Sequence, residues 1–295
     1  MSIIIQPLIA NIINASLIGL MSFGLLFTPQ KFMNGGAYQS PWFKNIENIE
    51  RDNKLFYFAQ FMGFIMIGSC LIPTFIDPES QFLCYQMSIV HGISLVHTLL
   101  FLFTDMYKEA RPDNKNSLYQ WYFMTSLNVV IFIITLLATI HNTENVIDSK
   151  ASILPKETTN IIMLVFSSFF GISFVGLPQY LISTFWQDET IQPIQKFMGF
   201  DLLKLTDLEY WWIRCIGLTI IGLNIAFLVR YNLKQPLYSI GSLIVISLLN
   251  LFNFHQVTMR PYKTISTRHI QLSWVPNIIL GCVMVALLAC SNIYI

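Results

Sequence analysis

The chain has 295 residues, of which 54% are hydrophobic and only 11% are charged, and its formal net charge is +1. Soluble domains carry about 25% charged residues, so this composition excludes an ordinary soluble protein and indicates an integral membrane protein. A net charge so close to zero provides no general attraction to phosphate, so we expect no nucleic-acid partner.

Eight apolar runs in the chain are long enough to cross a bilayer, for which about 20 residues suffice. They cover residues 5–28, 55–75, 82–104, 118–140, 159–184, 210–229, 236–254 and 270–294. Arg214 is the single Lys, Arg, Asp or Glu within them. A lipid-embedded segment must satisfy its backbone hydrogen bonds internally, so each run predicts a helix. The expected fold is therefore all-α, with eight transmembrane helices and the bilayer as its first partner.

Lys and Arg are distributed unevenly between the two sets of loops. Twelve of the 17 lie in the loops that would face one side: 29–54, 105–117, 185–209 and 255–269. Positively charged loops stay inside, so we expect these loops in the cytosol, or in the matrix if the membrane is the mitochondrial inner membrane. Both termini are then predicted on the outer side. The sequence does not say which membrane this is.

The two halves of the chain share several landmarks at matching places. The first run of each half ends in a Pro-Gln dipeptide, Pro29-Gln30 and Pro178-Gln179. The second run of each half carries two glycines five residues apart, Gly63 and Gly68 in one half and Gly217 and Gly222 in the other. Internal repeats are a strong architectural signal, and copies with an even number of spans have parallel orientation. We therefore expect two tandem four-helix units at 1–145 and 158–295, joined by an outer linker at 146–157.

Short amphipathic helices are predicted on the inner side. Residues 194–205 place apolar side chains at helical spacing around Lys196 and Lys204, a pattern typical of a helix lying in the interface. The loop 29–54 holds Trp42 and Phe43 and is more irregular. Both segments predict anchoring, with docking of a partner or a lipid as the alternative.

Two inner helix starts carry the pattern of a capping box. Ser117 is followed by Gln120, and Thr206 is followed by Glu209. In a capping box the two side chains satisfy each other's backbone N–H groups, so both positions predict helix N-termini.

Arg214 is the first candidate for a polar site. A charge at the centre of a membrane helix costs about 2.5–3.5 kcal/mol, but Arg214 lies near the inner end of its run and is able to snorkel. Asp207 and Glu209 are its expected partners. A lipid-headgroup or ligand site and an inter-helix hydrogen-bond hub are the alternatives. The corresponding residue of the first half, Gln60, is neutral.

Intramembrane asparagines form the second set of candidates. The members are Asn128, Asn224, Asn250 and Asn253, with Asn11 and Asn14 near the N-terminus. Amides at helix contacts hold helices together, each bond contributing about 0.6 kcal/mol on average. The alternative is a pathway for a neutral polar solute.

Neither the histidines nor the cysteines predict a cofactor. His91 and His97 are six residues apart, so they project from different helix faces, and neither haem nor a metal is expected. None of the five cysteines forms a C-x-x-C pair; Cys70 and Cys84 are predicted as small buried hydrophobes, with a bridge as the alternative. No phosphate loop or hydrolase motif is present, so we expect bound lipids and no catalysis.

The paired Pro-Gln dipeptides resemble those of the PQ-loop transporters, in which two three-helix units flank a linking helix. This chain departs from that pattern, because its units have four helices, its Pro-Gln pairs sit at the interface, and it lacks an intramembrane Asp. The paired four-helix layout is also similar to small families of the DoxX kind, whose diagnostic motifs are missing. No family is assigned on these features.

Two function classes follow from the sequence. The absence of buried acids and of catalytic motifs favours a structural or accessory subunit of a larger membrane assembly, with other membrane proteins as partners. The duplication, the helix-end prolines Pro29 and Pro178, and the intramembrane amides favour a facilitative carrier of a small neutral or anionic solute instead. The carrier hypothesis predicts a polar cavity between the two units, near Arg214 and Asn250.

Overall fold

The computed structural model describes residues 5–35, 40–44, 46, 54–140, 152–186, 205–230, 235–259 and 267–293. The regular structure in these ranges is helical. Seven helices are long and apolar enough to cross a membrane: α1 (Pro7–Phe27), α3 (Leu55–Ile76), α4 (Gln81–Phe103), α5 (Lys115–Ile140), α6 (Lys156–Gly176), α8 (Asp207–Arg230) and α9 (Pro236–Met259). The chain is thus a multi-pass helical membrane protein.

The last predicted span is only partly established. Helix α10 (Thr267–Asn292) has its described apolar portion at Asn277–Asn292, which is shorter than the other spans. Seven spans, and not eight, are therefore seen in the described part of the chain. Large apolar side chains such as Leu20, Phe27 and Phe75 are exposed on the bundle, as expected of helices that contact lipid.

Both Pro-Gln dipeptides open a second, short helix. Helix α1 stops at Thr28 (φ −139°, ψ 52°) and is followed by α2 (Pro29–Met33). Helix α6 stops in the same way at Leu177 (φ −131°, ψ 44°) and is followed by α7 (Pro178–Trp186). Proline suits the first helical position because its missing N–H has no partner there. The predicted single span at 159–184 is therefore wrong, because the helix breaks at Leu177.

Helix α3 contains an irregularity that the sequence pattern did not indicate. A π-helical turn occupies Ile67–Leu71 before α-helix resumes at Ile72–Ile76. Single π-turns inside α-helices often mark functional positions. Here the turn carries Gly68 to the contact with α9.

Within each half, the first two long helices cross at small residues. A Cβ added at Gly63 of α3 would lie 3.2 Å from the carbonyl oxygen of Ser22 in α1. A Cβ added at Gly217 of α8 would lie 2.7 Å from the carbonyl oxygen of Gly171 in α6. Such close backbone approach is how helices pack in membranes.

The halves meet through a second pair of glycine contacts. Gly68 of α3 lies against Val245 of α9, and Gly222 of α8 lies against Val90 of α4, where an added Cβ would meet Val90 Cγ2 at 3.2 Å. The second long helix of each half therefore packs against the third long helix of the other half.

An aromatic cluster fills one end of the bundle. It comprises Phe43, Phe101, Trp121, Trp211 and Trp212, with ring centroids 4.8 to 6.2 Å apart. This is the end at which α3, α5 and α8 begin and where Lys44, Lys108 and Arg111 lie; we call it the basic end. The opposite end is where α4, α6 and α9 begin.

One of the two predicted capping boxes forms. The Glu209 carboxylate accepts the Thr206 N–H at 2.9 Å, and Thr206 Oγ1 accepts the Glu209 N–H at 3.3 Å, which confirms the start of α8. The other is wrong, because α5 already begins at Lys115. Ser117 lies inside that helix, where its hydroxyl bonds the hydroxyl of Ser40 at 2.9 Å.

The remaining segment predictions fall largely outside the described residues. Of the predicted interfacial helix at 194–205, only Leu205 is described, and of the linker at 146–157, only 152–157. Helices α2 and α7 are the short elements observed next to the spans at the basic end.

Candidate ligand-binding cavity

A cavity of about 210 Å³ lies between the two halves. Helix α3 contributes Tyr57, Phe58 and Phe61 from the first half, and α6 contributes Phe170 and Phe174 from the second. Helices α4, α7, α8, α9 and α10 complete the described wall. An apolar, aromatic cavity with a few polar groups is the usual form of a small-molecule site.

No Asp, Glu, Lys, Arg or His is among the described residues that line the cavity. The polar side chains that reach it are amides, hydroxyls and phenols. A charged ligand would therefore lose its hydration without gaining a counter-charge, which is costly in a low-dielectric interior. This lining suits a neutral molecule.

At the basic half of the cavity, two asparagines of α9 face inward. The hydroxyl of Tyr57 donates to Asn253 Oδ1 at 2.8 Å, and Asn250 Nδ2 donates to Cys282 Sγ at 3.1 Å. Among the described residues, Asn253 Nδ2 has no hydrogen-bond partner, which leaves it available to a ligand. A further amide, Asn277 of α10, lies on the same wall.

Toward the opposite end, Gln86 of α4 reaches the cavity. Its side chain is only 5% exposed, and within the described residues its amide has no hydrogen-bond partner. A buried amide without a partner costs about 1–3 kcal/mol. The Ser242 hydroxyl of α9 also lines this half and has no partner in the described residues. Gln86 and Ser242 are therefore available to form hydrogen bonds with a ligand.

Asn224 behaves differently from the other candidate asparagines. Its Oδ1 accepts from Ser167 and Tyr238, each at 3.0 Å, and its Nδ2 donates to Ser168 at 3.0 Å. These bonds join α8 to α6 and α9. Asn224 thus lines the cavity but is occupied in holding helices together.

The polar groups stand at two levels separated by an apolar middle. Ser242 and Asn253 are eleven positions apart on α9, which corresponds to about 16 Å along a helix axis. On α3, Phe61 and Ile65 lie in the wall between Tyr57, which bonds Asn253, and Ser69. The cavity therefore offers hydrogen bonds near each end and apolar contact in between.

Arg214 does not line the cavity, contrary to the expectation of a polar cavity near Arg214 and Asn250. Its Nε donates to the Val175 carbonyl at 3.4 Å and its Nη1 to the Tyr107 hydroxyl at 3.3 Å. The predicted partners are wrong: Glu209 caps its own helix, and Asp207 accepts the Glu109 N–H at 2.9 Å.

Arg214 and Gln60 nevertheless make matching contacts. Gln60 Nε2 donates to the Leu26 carbonyl at 2.9 Å, as Arg214 donates to that of Val175. Leu26 and Val175 each stand three residues before the proline of their Pro-Gln pair. Both side chains therefore tie the second long helix of a half to the end of the first.

Tyr107 links Arg214 to a histidine. Burial raises the pKa of the Tyr107 phenol, although the nearby Arg214 lowers it, so the hydroxyl keeps its proton. It accepts from Arg214 and can donate to His97 Nε2, which lies 2.8 Å away. The His97 Nδ1 lies 3.2 Å from Cys215 Sγ.

Asn128 belongs to a network in the first half. His91 bridges it to Asn14, with one ring nitrogen against Asn128 Oδ1 and the other 2.7 Å from Asn14 Oδ1. Asn14 Nδ2 in turn donates to Cys70 Sγ at 3.2 Å. All five cysteines are free, and Cys84 donates to Asn11 Oδ1 at 3.1 Å.

Among the described residues no group of three or more His, Cys, Asp or Glu is placed to hold a metal ion.

Fold and cavity together define a polytopic helical membrane protein with a cavity whose described lining is uncharged. Comparisons of the chain with protein-family models, with curated proteins and with solved structures gave no match. The functional assignment therefore rests on the geometry alone.

Sequence reasoning singled out Asn250, Asn253 and Asn224 but missed the other half of the lining. Gln86 was one of several polar residues in its run and carried no spacing signal. Tyr57 lay at a span end, where an aromatic residue is ordinary. Only the crossing of α3 against the second half brings these side chains to one space.

Proposed function

We propose that this protein is a non-catalytic membrane carrier that moves a small neutral solute through the cavity between its halves. The observation that carries the proposal is the described lining, which combines unpaired amides at two levels with aromatic walls and contains no charged side chain. In many carriers the substrate site lies near the bilayer midplane at the interface of repeats. The anionic solute of the original expectation is not favoured by this lining.

We further propose eight spans arranged as two tandem, parallel four-helix units, at 1–145 and 158–295. The matched contacts of Gln60 and Arg214 support duplication. So do Asn11 and Asn160, which precede their Pro-Gln prolines by the same number of residues. Asn11 donates to the Pro78 and Ser80 carbonyls at 2.9 and 2.8 Å, and Asn160 donates to that of Gln235 at 3.4 Å.

The orientation and the interfacial helices belong to the same proposal. The basic end faces inward, toward the cytosol or the mitochondrial matrix, and both termini lie on the outer side. Helices α2 and α7 then rest at the inner interface. Helix α10 spans the membrane like α5, with which it shares a length of 26 residues.

Cysteine accessibility in sealed proteoliposomes tests the carrier. Single substitutions Asn253→Cys and Ser242→Cys are treated with a membrane-impermeant thiol reagent from one side at a time, and labelling is counted above that of the unmodified chain. We expect Asn253→Cys to react from the basic-end side and Ser242→Cys from the other. Ser22→Cys, buried in α1 away from the cavity, is the control and stays unlabelled. If neither cavity position reacts from either side, the cavity does not connect the two sides of the membrane and the carrier proposal is contradicted.

An accessory role remains a second proposal, favoured by one surface feature. Phe103, Tyr119, Tyr122 and Phe123 form an exposed aromatic patch at the basic end of α4 and α5. Aromatic residues are common at protein interfaces, although they also mark the edge of the bilayer. Native-size analysis after mild detergent extraction separates the two proposals. Co-migration with a large assembly that is lost in a Tyr119→Ala/Phe123→Ala variant supports the accessory role, and a discrete monomer or dimer contradicts it.

A further inference from the structure

We infer, resting on the proposed function, that the solute is a neutral, ring-sized molecule bearing carbonyl oxygens, of the benzoquinone class. The inference follows from the size of the cavity, the character of its walls and the placement of its unpaired amides.

The size and walls of the cavity favour a single substituted ring. A cavity of about 150 Å³ is known to hold benzene, and this one measures about 210 Å³. Its wall includes Phe58, Phe61, Phe166, Phe170 and Phe174. Aromatic side chains pair well with another planar ring in stacked or edge-to-face contact. A polyhydroxylated solute would leave its hydroxyls without partners against these walls.

The polar groups favour carbonyl oxygens on that ring. Amide N–H groups donate to a carbonyl, and Gln86 and Asn253 each present one that has no partner within the described residues. Only 5% of Gln86 is exposed, so a ligand in the cavity is the partner with which its amide can form a hydrogen bond. Because no charged side chain lines the cavity, a carboxylate or an ammonium group has no counter-ion there.

On its second-half side, the cavity is lined by three residues that stand where the first half has a hydrogen-bonded polar set. Asn11 and Asn160, Val90 and Val245, and Ala138 and Ser291 occupy matching places, and they set the register between the halves. In that register Asn14 corresponds to Met163, His91 to Ile246 and Asn128 to Gly281.

We call the three first-half residues the plug. Asn14, His91 and Asn128 bridge three helices with hydrogen bonds in the first half. Met163, Ile246 and Gly281 all line the cavity instead. Of the three positions only Gly281 loses side-chain volume, and a Cβ added there would lie 2.6 Å from Asn250 Oδ1, so an asparagine at this position must displace the Asn250 side chain that lines the cavity. The pair Gly281→Asn and Ile246→His therefore restores two plug residues from the chain's own first half.

The test measures binding of three probes matched in size to protein in lipid nanodiscs. Tritiated duroquinone is neutral and has two carbonyls, durene has the same four methyl groups and no oxygen, and 2,3,5,6-tetramethylbenzoate carries a negative charge. Empty nanodiscs give the partition background. The proteins are the unmodified chain, Gly281→Asn/Ile246→His, and Gln86→Met, which keeps the side-chain volume but removes the amide. Elution as a single symmetric species in size-exclusion chromatography confirms that each variant folds.

We expect saturable binding of duroquinone to the unmodified chain. Durene should bind at least about tenfold more weakly because it lacks the carbonyls. Tetramethylbenzoate should also bind at least about tenfold more weakly because its charge has no counter-ion among the described lining residues. Gln86→Met weakens duroquinone binding by about tenfold and leaves durene unchanged. Gly281→Asn/Ile246→His abolishes saturable binding.

Three outcomes overturn the inference. Equal binding of durene and duroquinone removes the role of the carbonyls, and stronger binding of tetramethylbenzoate removes neutrality; in both cases a cavity carrier survives. If no probe binds while Asn253→Cys and Ser242→Cys are still labelled from opposite sides, the benzoquinone class is wrong and the carrier stands. If labelling fails as well, the proposed function falls with it.

Discussion

Gly68 of α3 packs directly against the backbone of Val245 in α9. An added Cβ at Gly68 would lie 2.5 Å from Val245 Cγ2 and 2.9 Å from its amide nitrogen. Val245 itself lines the cavity. The contact that joins the two halves is therefore also one wall of the candidate site, and a change there is expected to affect both stability and binding.

Gly68→Ala is expected to destabilise the protein because the backbone of Val245 cannot move aside without shifting α9. Overpacking of this kind typically costs about 1–3 kcal/mol. The thermal midpoint of detergent-solubilised protein, followed by size-exclusion chromatography after heating, measures the effect.

Gly176→Ala is the matched control for that change. Gly176 is also a helical glycine, but nothing lies within 4 Å of an added Cβ there. Its thermal midpoint is expected to stay the same or to rise slightly, because alanine favours the helix. A Gly68→Ala midpoint equal to that of Gly176→Ala would show that the halves do not meet as described.

Tyr107→Phe is expected to destabilise the basic end. The hydroxyl accepts from Arg214 and lies 2.8 Å from His97 Nε2, so its removal leaves the buried His97 and the half-buried Arg214 without this partner. Unsatisfied buried groups cost about 1–3 kcal/mol each before relaxation. Tyr122→Phe, at a more exposed tyrosine on α5, serves as control and should leave the thermal midpoint unchanged. Equal midpoints for the two variants would contradict the Arg214–Tyr107–His97 arrangement.

Thr206→Ala is expected to fray the start of α8. Losing an N-cap side chain costs about 1 kcal/mol, and here the reciprocal bond with Glu209 is lost as well. Hydrogen exchange read by mass spectrometry should become faster at residues 207–210 specifically.

Ser117→Ala provides the comparison for the cap. Its sequence pattern is the same, but Ser117 lies inside α5, so exchange at the start of α5 should not change. Faster exchange there would mean that α5 begins at Ser117 after all.

Composition and hydropathy were sufficient to predict the helical membrane fold. Six of the predicted runs match described helices closely, and the run at 159–184 overlaps α6, because an uncharged apolar run of about 20 residues is long enough to form a membrane-spanning helix. The break at Leu177 was missed because the apolar pattern continues through it, and only the proline signals a new helix. The capping pattern at Ser117 failed because Asn114 lies three residues earlier and accepts the Asn116 N–H, so the helix starts sooner.

The site was harder to predict than the fold. Asn250 and Asn253 were recognised as polar positions in a span, but Gln86 comes from another helix and another half. Arg214 was singled out as the only charged residue within the predicted spans. Its side chain bonds Val175 of α6 and Tyr107 and does not line the cavity. Which polar groups share a space depends on helix crossing, and crossing depends on glycines such as Gly68 whose partners are not visible in the sequence.

Labelling of Asn253→Cys with and without the restored plug tests the central claim most directly. The comparison is made in proteoliposomes, with Gly281→Asn/Ile246→His introduced beside the cysteine. If the cavity is the solute path, reaction from the basic-end side is expected to fall to the level of the Ser22→Cys control when the plug is present. Unchanged labelling in the plugged protein would mean that the reagent reaches Asn253 by another route, and the cavity would lose its assigned role.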